Sequence, residues 1–232
     1  MDQTRETRLQ MTYVQTALKA TFFAGVVACM TGLAWSDGHF VLNRDLDTRM
    51  ESTCTGESAL GSFIADAIRK ANSADIGLVN CGAIRGNKLY AAGSSFTPVA
   101  VAFELPQGRK TVVLELSGMQ ILDIMEHSVS ALPSAAGAFL QVSGLRMEVD
   151  VNQPPGTRVV KLTVDGAALD LGKTYKVATT DELSGGAEGF AALKMLNQTP
   201  VGTNLVETEV SSYLQDKGVK DIRSLGRIKM LR

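Results

Sequence analysis

Apolar residues first fall into register at Leu60, Phe63, Ile64, Ala67, Ile68 and Ala71. Steps of three and four place them on one stripe of a helix, and Ser58 stands where an N-cap is expected. The pattern then changes: Asp75 to Asn80 (DIGLVN) reads as a buried strand and runs straight into a glycine-flanked loop, Cys81 to Gly86. Thr97-Pro98 opens a short helix, since proline is tolerated in a first helical turn. Thr111 to Leu116 is a strand; Ser117 caps the next helix, Gly118 to about Ala131, whose stripe is Ile121, Leu122, Met125 and Val129. Leu145 to Val151 and Arg158 to Val164 are strands, and Asp165-Gly166 marks a tight hairpin-type turn. A strand at Tyr175 to Thr179 precedes a second glycine-containing loop, from Gly185-Gly186 to Glu188-Gly189-Phe190. A helix from Val206 to about Lys217 and a strand near Arg227 to Met230 close the chain. Helices and strands mix without strict alternation, which predicts an α+β (mixed α/β) fold with a layered mixed sheet and flanking helices, not a doubly wound one.

Upstream of this pattern, Ala20 to Ala34 (ATFFAGVVACMTGLA) is an apolar run preceded by Lys19, Arg8 and Arg5. It is short for a membrane span, which takes about 20 residues, and fits the core of an export signal cleaved after Ala34. Two other readings stay open: a lipobox at Val26-Val27-Ala28-Cys29 with Cys29 lipidated, and a retained single-pass anchor. The expected organisation is a leader at 1–34, a polar lead-in at 35–50 that ends in a short edge strand, and one domain at 51–232. No stable transmembrane span is expected in the mature protein.

The 232 residues carry a formal net charge of -1, with 45% apolar and 20% charged residues. That is ordinary for a soluble domain and provides no global field to draw nucleic acid or anionic membrane. Of three cysteines, Cys29 would leave with the leader; Cys54 and Cys81 are then either a disulfide, permitted in an exported protein, or two small buried thiols. No Cys/His spacing suggests zinc. Met119, Met125 and Met147 read as core fillers. Ser143 has no acid or histidine placed to activate it and belongs to a structural strand. Arg109-Lys110 reads as a solvated turn, and Glu126-His127 as a solvated or interfacial pair.

The loop Asn80 to Gly86 is the most informative stretch: a strand delivers it, its glycines allow close backbone approach, and Arg85 can fork onto a phosphate or carboxylate. Alone, that spacing is a common turn. Together with ESALGSFIADAIRKANSADIGLVNCGAIRG, ELPQGRKTVVLELSG, FLQVSGLRMEVD, PPGTRVVKLTVDG and YKVATTDELSGGAEGF, in that order, the chain resembles the C-terminal, substrate-binding domain of the 5'-nucleotidase family. The resemblance covers about Leu46 to Phe190. It implies that Asn80, Gly82 and Arg85 match the family's binding loop and that Glu188, Gly189 and Phe190 match the end of its Gly-Gly-Asp-Gly-aromatic loop. Glu188 stands for the aspartate expected at the ribose, and Ala187 for a glycine.

The resemblance also exposes departures. The family stacks the nucleobase between two aromatic rings; the positions that match them hold Gln107 and Glu182. Its dinuclear metal site lies in an N-terminal metallophosphoesterase domain. This sequence carries His39 and His127; its one Asp-x-His tripeptide, Asp37-Gly38-His39, comes with nothing like Gly-Asn-His-Glu. The expectation is a stand-alone nucleotide- or nucleoside-binding domain of a nucleotide-catabolising system, with no catalytic or metal residue. A divalent metal pair would come only with a separate metallophosphoesterase partner. The rival expectation is a non-catalytic interaction module with a diverged clamp. N-terminal sequencing of native protein should find a start after about Ala34 or a lipid-modified Cys29; an intact N-terminus on cytoplasmic protein would refute export.

Overall fold

The computed structural model of this chain describes residues 40–194, 204–216 and 221–231. Two four-stranded sheets form its frame. The first has the order β6 (Thr111–Ser117), β11 (Thr174–Thr180), β3 (Ile76–Asn80), β7 (Leu140–Ser143). Its central pair, β11 and β3, runs parallel, and β6 and β7 flank it antiparallel. The second has the order β10 (Ala167–Ala168), β9 (Val159–Val164), β8 (Leu145–Asp150), β12 (Ile228–Leu231), with β12 parallel to β8. Asp165 and Gly166, both at positive φ, make the tight turn from β9 to β10 that the sequence marks. Two-residue strands complete the edge: β1 (Phe40–Val41) pairs with β5 (Ser95–Phe96), and β2 (Leu46–Asp47) with β4 (Leu89–Tyr90). Part of the expected lead-in thus carries strands paired with the domain.

The first sheet is covered on both faces, so β3 is buried at all five positions and reads as a continuous apolar run rather than an alternating one. On one face α2 (Ala59–Ala71) packs Leu60, Phe63, Ile64, Ala67 and Ile68 against Val79 and Ala178, with α3 (Pro98–Glu104) and α7 (Val206–Leu214) beside it. On the other, Ile121, Ile124 and Met125 of α4 (Gly118–Ser128), with Leu145, Met147, Val149 and Leu162 of the second sheet, close over Ile76, Leu78 and Val177. Both capping expectations hold: Ser58 Oγ accepts from Gly61 N, and Ser117 forms a capping box with Gln120. Short helices α1 (Met50–Thr53), α5 (Asp181–Ser184) and α6 (Ala191–Lys194) were not foreseen.

Helix α4 stops at Ser128 rather than near Ala131, for a reason that lies far along the chain. The Arg158 guanidinium enters beneath it, and Nη1 donates to the carbonyls of Val129, Ser130 and Leu132 at 2.8 Å each. Those carbonyls turn toward a buried cation and cannot continue a helix. The helix expected to reach Lys217 is described from Val206 to Leu214, and Lys217 lies outside the described residues.

Polar groups then lock the layers. Gln141, fully buried, donates to Thr53 O at 2.7 Å and Gly56 O at 2.8 Å and accepts from Ser58 N at 2.8 Å, holding the turn that feeds α2. A Cβ on Gly61 would lie 2.3 Å from Gln141 Cγ, which explains the glycine. Glu57 takes the backbone N–H groups of Leu225 and Arg227 at 2.6 Å each, while Arg227 Nη2 forks onto Asp66 at 2.8 Å to both oxygens and its Nη1 reaches Val142 O. Asp66 also accepts from Ser143 Oγ, so an acid does stand beside this serine, contrary to expectation; the serine lies in β7 as expected, and the same carboxylate is engaged by Arg227. Removing one member strands a largely buried partner, so Asp66→Ala should cost about 3 kcal/mol in urea unfolding. Arg44→Ala, which breaks the exposed pair with Asp221, should cost under about 1 kcal/mol. Equal losses would show that the Asp66 pair is solvated.

Candidate functional site

Because β3 and β11 are parallel neighbours with antiparallel strands outside them, the carboxyl ends of both and the starts of β6 and β7 share one end of the sheet. Four connections meet there: 81–86, 105–110, 133–139 and 181–190. Ligands of open mixed sheets bind at such carboxyl ends.

The first connection is tightly held. Asn80 is 2% exposed and opens a 3-10 turn, Cys81–Ala83. Cys81 is bonded to Cys54 with Cα atoms 5.3 Å apart, so of the two states open in the sequence the structure takes the disulfide. It closes a separation of 27 residues. A loop of that size stabilises the fold by about 3.5 kcal/mol in the chain-entropy account. At the other end of the loop, Arg85 N donates to Glu104 O at 2.7 Å and Gly86 N to the Glu104 carboxylate at 3.1 Å. Any Cβ on Gly86 would fall 1.9 Å from Glu104 Oε1. Glu104 is fully buried and accepts from Tyr90 Oη at 2.6 Å; burial first, and that carboxylate second, push the Tyr90 phenol far above its ordinary range. Arg85 is exposed, and its guanidinium has no partner among the described residues.

The fourth connection folds back onto the first. Glu188 sits at φ 53, a left-handed backbone rare for its type, between Gly186 and Gly189, which are also at positive φ. Its carboxylate rests on glycine: a Cβ on Gly82 would meet Oε1 at 3.1 Å, and one on Gly137 would meet Oε2 at 2.6 Å. Asn80 Nδ2 and Gly82 N both donate to Gly137 O at 3.2 Å. Asn80, Gly82 and Glu188 therefore share one corner. Gly189 lies against His127, and the Phe190 ring is 3% exposed, turned into the core with His127 edge-on at 4.6 Å. Phe190 props the loop from within and lines a cavity of about 200 Å³ with Gln120, Ile124 and His127.

Three side-chain expectations need refining. Met119, read as a core filler, is 50% exposed, while Met125 and Met147 are buried. Of the solvated and interfacial alternatives for Glu126 and His127, the structure takes the interfacial one: Glu126 accepts from the N–H groups of Arg158 and Val159, and His127 Nε2 lies 2.9 Å from Glu188 O. The chain beyond α4 folds over them, a long-range contact that local sequence does not signal. Arg109-Lys110 is solvated as expected, Arg109 being 38% exposed, but it is not without partners. Arg109 Nη2 pairs with Glu182 at 3.1 Å, and Lys110 O accepts from Asp181 N at 2.9 Å. The ion pair occupies one of the two expected clamp positions; Gln107, at the other, is exposed. Glu104, Gly137 and Arg109 were missed as site residues. A glutamate within PVAVAFE was the one available signal, because an acid in an apolar helix needs a buried partner.

No group of three or more His, Cys, Asp or Glu side chains among the described residues is placed to hold a metal ion, so this donor set does not fit a metal pair. The description "5'-nucleotidase, C-terminal domain" matches residues 39–195. The chain belongs to that family. A trifunctional nucleotide phosphoesterase of Bacillus subtilis is 32% identical over 155 residues, 63% of this chain and 10% of its own length. A snake venom 5'-nucleotidase of Gloydius brevicauda is 29% identical over 70% of this chain and 31% of its own. A 5'-nucleotidase precursor of Thermus thermophilus superposes with a TM-score of 0.76 at 31% identity, over 92% of this chain and 43% of that one. This 5'-nucleotidase C-terminal domain thus spans less than half the length of these relatives.

Proposed function

We propose that the domain is the nucleotide- or nucleoside-binding part of a nucleotide-catabolising hydrolase system, with base recognition weakened in this chain. One observation carries the proposal: Asn80, Gly82 and Glu188 pack into one corner at the sheet end, with Arg85 free on the same loop. By the family resemblance, Arg85 faces the phosphate, Asn80 takes polar groups of the nucleoside and Glu188 the ribose; Gly189 and Phe190 shape the loop. The phosphate ester is broken elsewhere, at a divalent metal pair held by a metallophosphoesterase partner. The system works outside the cytoplasm: the apolar run before Trp35 supports export, and a snake venom relative supports a secreted setting. Among the described residues no helix is long and apolar enough to cross a membrane.

A second reading, an interaction module that uses the same surface, draws on a single feature. The Arg109–Glu182 pair stands at one of the positions where the family places its base-stacking rings.

Two measurements test the proposal. The purified chain should release no phosphate from nucleoside monophosphates with or without Mn²⁺, Zn²⁺ or Co²⁺, and metal-dependent release from a clean preparation would refute the division of labour. In calorimetry, adenosine and AMP should bind no tighter than about millimolar, near -4 kcal/mol. Gln107→Phe with Glu182→Phe should recover about 1–3 kcal/mol per ring, and adding Arg85→Ala should weaken AMP more than adenosine. Micromolar adenosine binding by the unaltered chain would defeat the clamp assignment. No gain in the double variant would favour the interaction module.

A further inference from the structure

His127 touches three successive residues of the 185–190 loop. Its Nε2 lies 2.9 Å from Glu188 O, a Cβ on Gly189 would meet its Cε1 and Nε2 at 3.0 Å, and its ring stands edge-on to Phe190 with centroids 4.6 Å apart. A carbonyl oxygen only accepts, so Nε2 carries a proton and donates it. Among the described residues, this is the hydrogen bond that reaches the backbone of 185–190 from a distant part of the chain. The others are local: Gly185 N, Gly186 N and Phe190 N donate to Asp181 O, Leu183 O and Ala187 O, and Phe190 O accepts from Leu193 N. The imidazole itself stands on fixed backbone. Glu126, before it, accepts from the N–H groups of Arg158 and Val159, and Ser128 Oγ, after it, accepts from Leu140 N at 2.8 Å. Ser130 Oγ donates to His127 O at 2.7 Å.

The loop needs such a hold. Glu188, at φ 53 and ψ 26, has a left-handed backbone that its Cβ disfavours, and such a conformation persists only where the surroundings over-determine it. Phe190, 3% exposed, anchors the end of the loop. Beside it, however, a cavity of about 200 Å³ walled by Ile124, His127 and Leu193 leaves the turn room to relax. Glu188 is gripped at two points: its carbonyl by His127, and its carboxylate against Gly82 and Gly137. The φ and ψ of Glu188 set the angle between those two contacts, so a right-handed Glu188 could not keep both without moving the chain around it.

We infer that His127 is a positioning residue for the binding loop: by donating from Nε2 to Glu188 O it holds the turn left-handed and sets the Glu188 carboxylate against Gly82 and Gly137. It does so without touching the ligand. The consequence for binding rests on the nucleoside reading, in which that carboxylate takes the ribose; His127 then governs recognition of the sugar rather than of the base. Side-chain geometry supplies the test. The amide nitrogen of glutamine reaches the place of the imidazole Nε2, whereas that of asparagine reaches only the place of Nδ1.

In the unaltered chain, long-range ¹H–¹⁵N spectra should find the imidazole proton on Nε2, and Glu188 should show the strong intraresidue amide-to-Hα Overhauser effect of a positive φ. A neutral ring protonated on Nδ1, or a right-handed Glu188, overturns the inference with no substitution made. His127→Asn should abolish the Glu188 signature, with spectral changes confined to 185–193, and His127→Gln should keep it. An asparagine variant that retains the signature, or a glutamine variant that loses it as fully, is equally fatal. Calorimetry follows in the Gln107→Phe, Glu182→Phe background. There His127→Asn should weaken adenosine about tenfold and leave adenine, which lacks the ribose, within about twofold, while His127→Gln should restore most of the adenosine affinity. Equal losses for adenosine and adenine would make His127 a general prop of the fold and overturn its positioning role. If adenosine binds none of these proteins, the nucleoside reading alone is defeated, and the spectra still decide what His127 does.

Discussion

The pairing of β3 with β11 is the constraint on which the site depends. Two adjacent parallel strands cannot be joined by a tight turn, so each must be reached by a long connection. Both are also buried on both faces, so helices and a second sheet must cover them. Those requirements place the chain's glycine-containing loops at one end of one sheet, although Asn80 and Glu188 are far apart in the chain. The outer strands β6 and β7 run antiparallel and bring the connections with Arg109 and Gly137 to the same end. The site is thus a product of strand direction, and its side chains lie on backbone that the core already fixes.

Around that frame, buried polar groups act as positioners. Glu104 holds Arg85 and Gly86 by their backbone N–H groups, and Gly137 O holds Asn80 and Gly82. In both cases a glycine is needed because an acidic side chain fills the space a Cβ would occupy. The disulfide fixes the loop's first residue to the segment that precedes α2, and Gln141 ties that segment to β7. These ties oppose motion of 80–86, whereas 185–190 carries the unusual backbone at Glu188.

Local periodicity made most of the frame legible. The stripe from Leu60 to Ile68, the DIGLVN strand and the Asp165-Gly166 turn are short-range patterns, and each formed as expected. What stayed hidden depends on pairs far apart in the chain. Arg158 ending α4, Arg227 forking onto Asp66 and His127 meeting Glu188 join residues separated by 26 to 161 positions. The resemblance brought Asn80, Gly82, Arg85 and Glu188 together on paper. It could not anticipate that Phe190 turns inward or that Arg109 reaches Glu182, since both depend on how the four connections pack.

That ion pair sharpens the question of what the surface selects. A pair exposed by 38% and 27% is worth at most about 1 kcal/mol, while a stacked ring is worth about 1–3 kcal/mol per base. On the clamp alignment proposed above, Gln107 and Glu182 in place of rings would gain little for the free protein and would remove much of the affinity for a flat apolar base. Asn80 and Thr179, each 2% exposed, owe nothing to those positions, because they lie on strands that the core already fixes.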